Sequence, residues 1–148
     1  MIKSFANSTL LNSFYHDMFV LPTERFKYQF FVNNTNMIED ELIKNVKTIL
    51  KSADLVYTNK DYTSATILYF KAIFSILDFI ILGIKGKTPK DHTERFRILQ
   101  QDFPELYASL DKYFKIYRDT YSISIDKETC DLIKEYVKRT AKEYKIEV

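Results

Sequence analysis

The sequence predicts an all-α protein, an up-and-down antiparallel bundle of about five helices with an N-terminal extension. Of 148 residues only two are Gly and three are Pro, whereas 46% are apolar and 16% are aromatic. An all-β sandwich or barrel needs many tight turns, so this scarcity favours a few long helices joined by short connections. A chain of this length and apolar content can also bury a full core as one domain, without disulfides or a structural metal.

The first long amphipathic helix is predicted over 37–57. Asn36 and Glu39 form a capping-box pattern at its start, and apolar residues then recur at helical spacing. The polar turn at 58–61 ends the helix.

A second, more apolar helix is predicted over 62–82. Asp61 can accept hydrogen bonds from its first free amides. Because the preceding link is short, the two long helices should be antiparallel neighbours. Gly83 and Gly86 are expected to bracket the basic turn that follows, where a positive φ allows the helix to stop.

Three further helices complete the predicted bundle, and they extend over 89–101, 104–121 and 127–145. Thr88 reads as the cap of the first, with proline at its first position. The segment Asp102-Phe103-Pro104-Glu105 repeats this start chemistry, and Asp126 is the expected cap of the last helix. The residues expected in the core are Leu68, Phe70, Ile73, Leu77, Ile80, Leu99, Leu110 and Phe114.

The N-terminal part is harder to assign. Apolar residues over 10–19 fit a helix that ends before Pro22, whereas residues 25–30 alternate like a strand. We favour helix for both segments. Residues 1–36 are therefore predicted as an N-terminal extension and 37–148 as the helical domain.

The apolar stretch from Ala65 to Ile84 is about as long as a membrane-spanning helix. Lys71 and Asp78 lie inside it, and each would cost about 2.5–3.5 kcal/mol at the centre of a bilayer. We therefore expect the central helix of a bundle and no membrane association. The N-terminus lacks an uninterrupted signal-peptide core. Since Cys130 is the only cysteine, the expected location is the cytoplasm.

Most familiar catalytic signatures are absent from the sequence. Two glycines cannot build a phosphate-cradling loop, and His16 and His92 do not form a zinc-binding HExxH motif. We expect no metal and no cofactor. Cys130 could form a dyad with His92 in principle, but its inward helical position is typical of a small inert hydrophobe.

Three consecutive segments resemble the HEPN superfamily of prokaryotic helical domains. They are the aromatic helix YTSATILYFKAIFSILDFIILG, the turn GKTPKDH and the helix end YFKIYRDTY. The resemblance extends over 37–145 and is most specific at Pro89 with His92 and at 117–121. Helix order and helix lengths agree as well.

This resemblance implies an up-and-down bundle, usually homodimeric, found in toxin-antitoxin, defence and RNA-processing systems and often encoded beside a nucleotidyltransferase. Active members are metal-independent RNases in which four to six residues separate an arginine from a histidine that follows it. Arg118 matches that arginine and Asp119 the polar residue that often follows. The histidine is missing, because Ile123, Ser124 and Ile125 occupy the corresponding positions. We therefore expect a non-catalytic dimeric binding or interaction module, in a two-gene system with a nucleotidyltransferase.

An alternative is an RNase with a substituted active site, in which Arg118 acts with His92. The positive end of a helix dipole would lower the basicity of His92 and hold it neutral. Against this, Arg118 could simply form a salt bridge to Asp78 or Asp119, or stack on tyrosines. Tyr121 is a further candidate, as an acceptor for modification by a partner nucleotidyltransferase.

The most basic segment of the chain offers a second alternative, a nucleotide-binding module. Its cations, the candidate phosphate ligands together with Arg118, are Lys85, Lys87, Lys90, Arg95 and Arg97. Asp91 and Glu94 are the only acids between them, which leaves a local charge of +3. Such a segment can bind RNA or nucleotide phosphates, although the whole chain carries a net charge of only +2.

Overall fold

A computed structural model describes the backbone of residues 22–148 and the side chains of residues 36–148. In this part of the chain there are five α-helices and no strand, which confirms the predicted all-α bundle. The helices are α1 (Pro22–Thr58), α2 (Tyr62–Lys85), α3 (His92–Asp102), α4 (Pro104–Asp119) and α5 (Lys127–Glu143). The helix predicted over 10–19 lies outside the described residues.

Helix α1 begins much earlier than the predicted start at residue 37. It starts at Pro22, and residues 25–30 are helical, as favoured over the strand. No Gly or Pro follows Pro22 before the helix ends, so nothing in the sequence forces a break at residue 36. Backbone contacts divide the chain between Asp40 and Glu41, and the second unit holds the hydrophobic core.

Helix α2 is the centre of this second unit and packs mainly against α5, with further contacts to α4. Six of the residues predicted for the core are buried, namely Phe70, Ile73, Leu77, Ile80, Leu99 and Leu110. Leu68 and Phe114 are only partly buried and pack against the core from its edge. Among the described residues, α2 is the one helix long and apolar enough to cross a bilayer, and its apolar side chains are largely buried by the other helices.

Two of the predicted caps are present. The Asp61 carboxylate accepts a hydrogen bond from the Ser64 amide at 3.0 Å, and Asp126 caps α5 in the same way. Gly86 ends α2 in the left-handed conformation, with φ of 71°. Gly83 does not bracket the turn as predicted, because it lies inside α2.

Helix α3 starts later than predicted, with Asp91 rather than Thr88 as its cap. The Asp91 carboxylate accepts from the Glu94 amide at 2.8 Å. The Glu94 carboxylate in turn accepts from the Lys90 amide at 2.8 Å. The two carboxylates thus satisfy two backbone amides at the start of the helix.

The start predicted for α4 is also only partly correct. Pro104 is its first residue, but Phe103 occupies the cap position and no side chain caps the helix. Asp102 instead ends α3 and pairs with Lys85 at 2.6 Å.

Candidate functional site

The predicted basic segment loses most of its free positive charge in the fold. Lys85 lies 2.6 Å from Asp102, and Arg97 lies 3.6 Å from Glu94. Arg95 is buried. These three cations are therefore neutralised or hidden, which weakens the case for a phosphate site here.

Lys87 and Lys90 are the remaining cations of that segment. Both are exposed, and neither forms an ion pair with any residue that the structure describes. Two exposed lysines by themselves attract anions weakly and do not define a binding site.

The buried Arg95 forms a bidentate ion pair with Asp78 of α2. Its Nε lies 2.6 Å from Oδ1 and its Nη2 lies 2.9 Å from Oδ2 of the carboxylate. The Arg95 and Asp78 side chains are only 9% and 15% exposed. Because both carboxylate oxygens accept a hydrogen bond, the charge of Asp78 is compensated inside an otherwise apolar helix.

The third nitrogen of the Arg95 guanidinium contacts His92. Arg95 Nη1 lies 2.7 Å from His92 Nδ1. A guanidinium can only donate, so Nδ1 must accept, and the imidazole is neutral with its proton on Nε2. Burial of one side of the ring and the nearby charge of Arg95 lower the pKa of His92, against the opposite effect of Asp78 and Asp91.

An aromatic cluster, defined as Phe74, Phe114 and Tyr117, lies against His92. The His92 ring meets Phe74 edge to face at 4.5 Å between centroids, and the Arg95 guanidinium lies 5.0 Å from the Phe74 centroid. His92 is exposed to solvent, whereas Phe74, against which it packs, is buried.

Arg118, the arginine singled out by the HEPN resemblance, is exposed at the end of α4. Its Cζ lies 5.9 Å from the Phe114 centroid. Neither predicted acidic partner is bound to it, because Asp78 binds Arg95 and Asp119 binds Lys115 at 2.6 Å. Arg118 forms no ion pair with the described residues, so its charge is open to a ligand.

Tyr121 lies one turn beyond Arg118 and is 77% exposed. Its hydroxyl is 3.1 Å from the hydroxyl of Tyr117. Burial, together with this hydrogen bond, raises the pKa of Tyr117 to about 12. Tyr117 is therefore protonated at neutral pH, and Tyr121 is the more accessible of the two hydroxyls.

The structure places both candidate catalytic residues beside Phe114. The centroids of the His92 and Phe114 rings are 6.3 Å apart, and Arg118 Cζ lies 5.9 Å from the Phe114 centroid. Both side chains offer N–H donors, the Nε2–H of His92 and the guanidinium of Arg118. The arrangement can bind an anion, whereas His92 in this hydrogen-bonded state has no nitrogen free to accept a proton.

Sequence reasoning missed the link from Asp78 through Arg95 to His92. Two signals were available. A carboxylate inside an apolar helix needs a cationic partner, and Asp78 is such a residue. His92 and Arg95 are also three residues apart on one helix, so their side chains are neighbours. The sequence could not say that Arg95, rather than Arg118, reaches Asp78.

A second polar cluster joins α1, α2 and α5, and we call it the tyrosine–aspartate network. The Tyr69 hydroxyl donates to Asp54 and the Tyr57 hydroxyl donates to Asp131, each at 2.6 Å. Lys134 lies 3.3 Å from Asp54 and 4.1 Å from the Tyr57 ring centroid. These contacts tie three helices together by mutually satisfied polar groups.

No metal site or reactive thiol emerges from the described residues. They contain no cluster of three or more His, Cys, Asp or Glu side chains placed to hold a metal ion. Burial raises the pKa of the Cys130 thiol. A protonated, fully buried thiol is a poor nucleophile, so the Cys130–His92 dyad gains no support.

Comparisons with known proteins add no relative. The chain matches no protein-family model, no curated protein and no solved structure. The HEPN resemblance therefore rests on the residues of the chain alone, chiefly residues 86–92 and 113–121.

Proposed function

We propose that the chain is a non-catalytic binding or interaction module, HEPN-like and homodimeric. The observation that supports this most directly is the hydrogen bond from Arg95 to His92 Nδ1. It occupies the nitrogen that would have to take up a proton, while Nε2 already carries one. His92 is the one imidazole in the described part of the chain, since His16 lies outside it.

Metal-independent RNA cleavage needs a group that takes a proton from the 2′-hydroxyl and a group that protonates the leaving oxygen. A guanidinium has no proton-accepting atom, so Arg118 can bind phosphate but cannot act as the base. Tyr117, with its pKa raised to about 12, is not a base at neutral pH either. Binding without cleavage is thus the chemistry that these groups support.

The ligand we propose is RNA or a nucleotide, bound near Arg118. An exposed guanidinium can pair with a phosphate, and an exposed aromatic face such as that of Tyr121 can stack on a base. The two residues are three positions apart, so one ligand could contact both. The partner of the module, in the two-gene setting that the HEPN resemblance implies, would be a nucleotidyltransferase.

The decisive test is incubation of end-labelled single-stranded RNA with the purified chain in EDTA. We expect no cleavage and measurable binding by fluorescence anisotropy. Arg118→Ala should weaken binding about tenfold, since a charge-assisted hydrogen bond contributes about 1.5 kcal/mol. The matched control is Arg139→Ala on α5, another exposed arginine, which should bind like the unmodified chain. Cleavage that Arg118→Ala abolishes would overturn the proposal.

One observation favours the alternative, an RNase with a substituted active site, because His92 and Arg118 flank the same ring. His92→Gln distinguishes the two functions. The glutamine amide can still donate a hydrogen bond to a ligand but cannot transfer a proton at neutral pH. A binding module should keep its RNA affinity in this variant and cleave nothing, whereas an RNase should lose a cleavage activity that the unmodified chain has.

The homodimer needs a separate measurement. Light scattering coupled to gel filtration should give a mass of twice the 17.6 kDa of one chain. Exposed apolar side chains that could contribute to a contact are Leu55, Ile123 and Leu132. A monomer mass at about 100 µM, well above the Kd of a stable dimer, would remove dimerisation from the proposal.

A further inference from the structure

We propose that Asp78, Arg95 and His92 form a pH-dependent latch, in which protonation of His92 breaks its hydrogen bond to Arg95 and releases the imidazole from the aromatic cluster. This inference rests on the contacts of these three residues and does not depend on the proposed function. The latch connects α2, which carries Asp78, to the beginning of α3, which carries His92 and Arg95.

Arg95 cannot move aside when His92 gains a proton. Its Nε and Nη2 are held by both oxygens of Asp78, at 2.6 and 2.9 Å. Its guanidinium also lies against the Phe74 ring. A proton added at His92 Nδ1 would point at the Nη1–H of Arg95, 2.7 Å from the imidazole nitrogen. Two donors, both on cations, cannot keep that distance, so the more exposed imidazole must leave.

The other charged or titratable groups that face His92 from the packed elements include Asp78, Asp91 and Tyr117. From α2, Asp78 attracts a positive imidazole, but Arg95 already uses both of its oxygens. At the start of α3, Asp91 also attracts it, although one Asp91 oxygen already binds the Glu94 amide. From α4, Tyr117 faces the ring at 6.2 Å as a neutral phenol.

Helix α4 carries one cation at the edge of the aromatic cluster. Arg118 lies on Phe114, the aromatic residue that His92 also contacts. Partial burial of the imidazole and the charge of Arg95 together lower the pKa of His92.

Release of the imidazole would uncover apolar surface. Phe74 is only 7% exposed in the closed arrangement, and among the residues whose side chains are described His92 is its nearest aromatic neighbour, at 4.5 Å between centroids. Since the neutral imidazole is preferred in the fold, its contribution to stability is fully present above the ordinary His pKa of about 6.5. That contribution is lost as the pH falls through the lower pKa of folded His92.

Thermal unfolding at pH 7.5 and pH 5 tests the latch. Between these values the Tm of the unmodified chain should fall by about 3 °C more than that of His92→Gln, which cannot titrate. His16→Gln is the matched control, because it removes the only other histidine of the chain, and its Tm should fall as in the unmodified chain. An equal fall for His92→Gln and the unmodified chain would overturn the proposal.

A titration of the unmodified chain by NMR keeps the test valid if His92→Gln folds poorly. The imidazole signals of His92 should show the Nε2–H tautomer at pH 7.5 and a midpoint below the ordinary value of about 6.5. The ring signals of Phe74 should change with the same midpoint. A midpoint at or above 6.5, or Phe74 signals that do not follow it, would contradict the latch.

Discussion

The latch and the tyrosine–aspartate network both join helices through carboxylates, yet they differ in burial. In the latch, Arg95 and Asp78 are 9% and 15% exposed and bind each other through two parallel hydrogen bonds. In the network, Lys134 and Asp54 are 21% and 48% exposed and approach only to 3.3 Å. Water therefore screens the opposite charges in the network more strongly than those in the latch.

This difference shows where a polar contact controls the fold. A buried ion pair contributes little over an apolar pair of the same shape, but it is very costly to break, because one charge is left without water or partner. An exposed pair can lose one member and the other returns to water. We therefore expect the latch to respond strongly to changes in charge and the network to respond weakly.

The largest effect is expected for Asp78→Ala, which leaves the Arg95 guanidinium buried and unpaired. The free energy of unfolding should fall by about 3–5 kcal/mol, as measured by urea denaturation followed by circular dichroism. The double variant Asp78→Leu, Arg95→Met removes both charges and should be closer to the unmodified chain. A loss below about 1 kcal/mol in the single variant, the range of exposed pairs, would show that water reaches Arg95.

A smaller effect is expected in the network for Tyr69→Phe. The substitution removes the hydroxyl that donates to Asp54, while Lys134 remains beside the carboxylate. The free energy of unfolding should fall by about 1 kcal/mol, measured in the same urea titration. A loss as large as that of Asp78→Ala would mean that the two regions are equally sensitive and that burial does not explain their difference.

The two regions should also separate along the pH axis. Partial burial disfavours the charge of Asp54, but hydrogen bonds from Tyr69 and Lys134 outweigh it and lower the pKa of Asp54. For a carboxylate with a lowered pKa, stability is present above the unfolded value of about 3.9 and is lost as the pH falls below it. The latch should lose its contribution to stability in a less acidic range than Asp54 does, as the pH falls below about 6.5.

Urea denaturation at pH 7, 5 and 3 distinguishes these two windows. Asp54→Asn should reduce the loss of stability between pH 5 and 3 and leave the loss between pH 7 and 5 unchanged. If the variant instead reduced the loss of stability between pH 7 and 5, the assignment of the low-pH loss to Asp54 would be wrong.

The smallest effect is expected for Lys115→Ala, which removes an exposed pair within one helix. Lys115 is 73% exposed and its partner Asp119 lies one turn away. The free energy of unfolding should change by less than about 0.5 kcal/mol. A larger loss would contradict the small contribution expected of an exposed ion pair within one helix.

Much of the fold was predictable because its signals are local. The caps at Asp61 and Asp126 and the stop at Gly86 each depend on residues a few positions apart. The start of α3 was misplaced because Thr88 and Asp91 both offer cap chemistry. In the fold it is the Asp91 carboxylate that accepts from an amide of the first turn, that of Glu94. Leu68 and Phe114 have the right spacing for the core, but the packing of neighbouring helices leaves them at its edge.

The sequence identified residues of the candidate site but not the contacts between them. His92, Arg118 and Tyr121 stand out in the sequence, and the structure places His92 and Arg118 against one ring. The partner of Asp78 could not be inferred, because two arginines on different helices are both chemically suitable. The protonation state of His92 follows from that choice, so the chemistry of the site was hidden as well.

The sequence by itself determined an all-α chain with a long apolar helix at its centre, since helical period, caps and a shortage of Gly and Pro act over short distances. Only the tertiary structure decided which cations are buried, which carboxylate each one meets and whether the imidazole donates or accepts. These properties depend on side chains far apart in the chain, such as Asp78 and Arg95, and on the water that packing excludes around them.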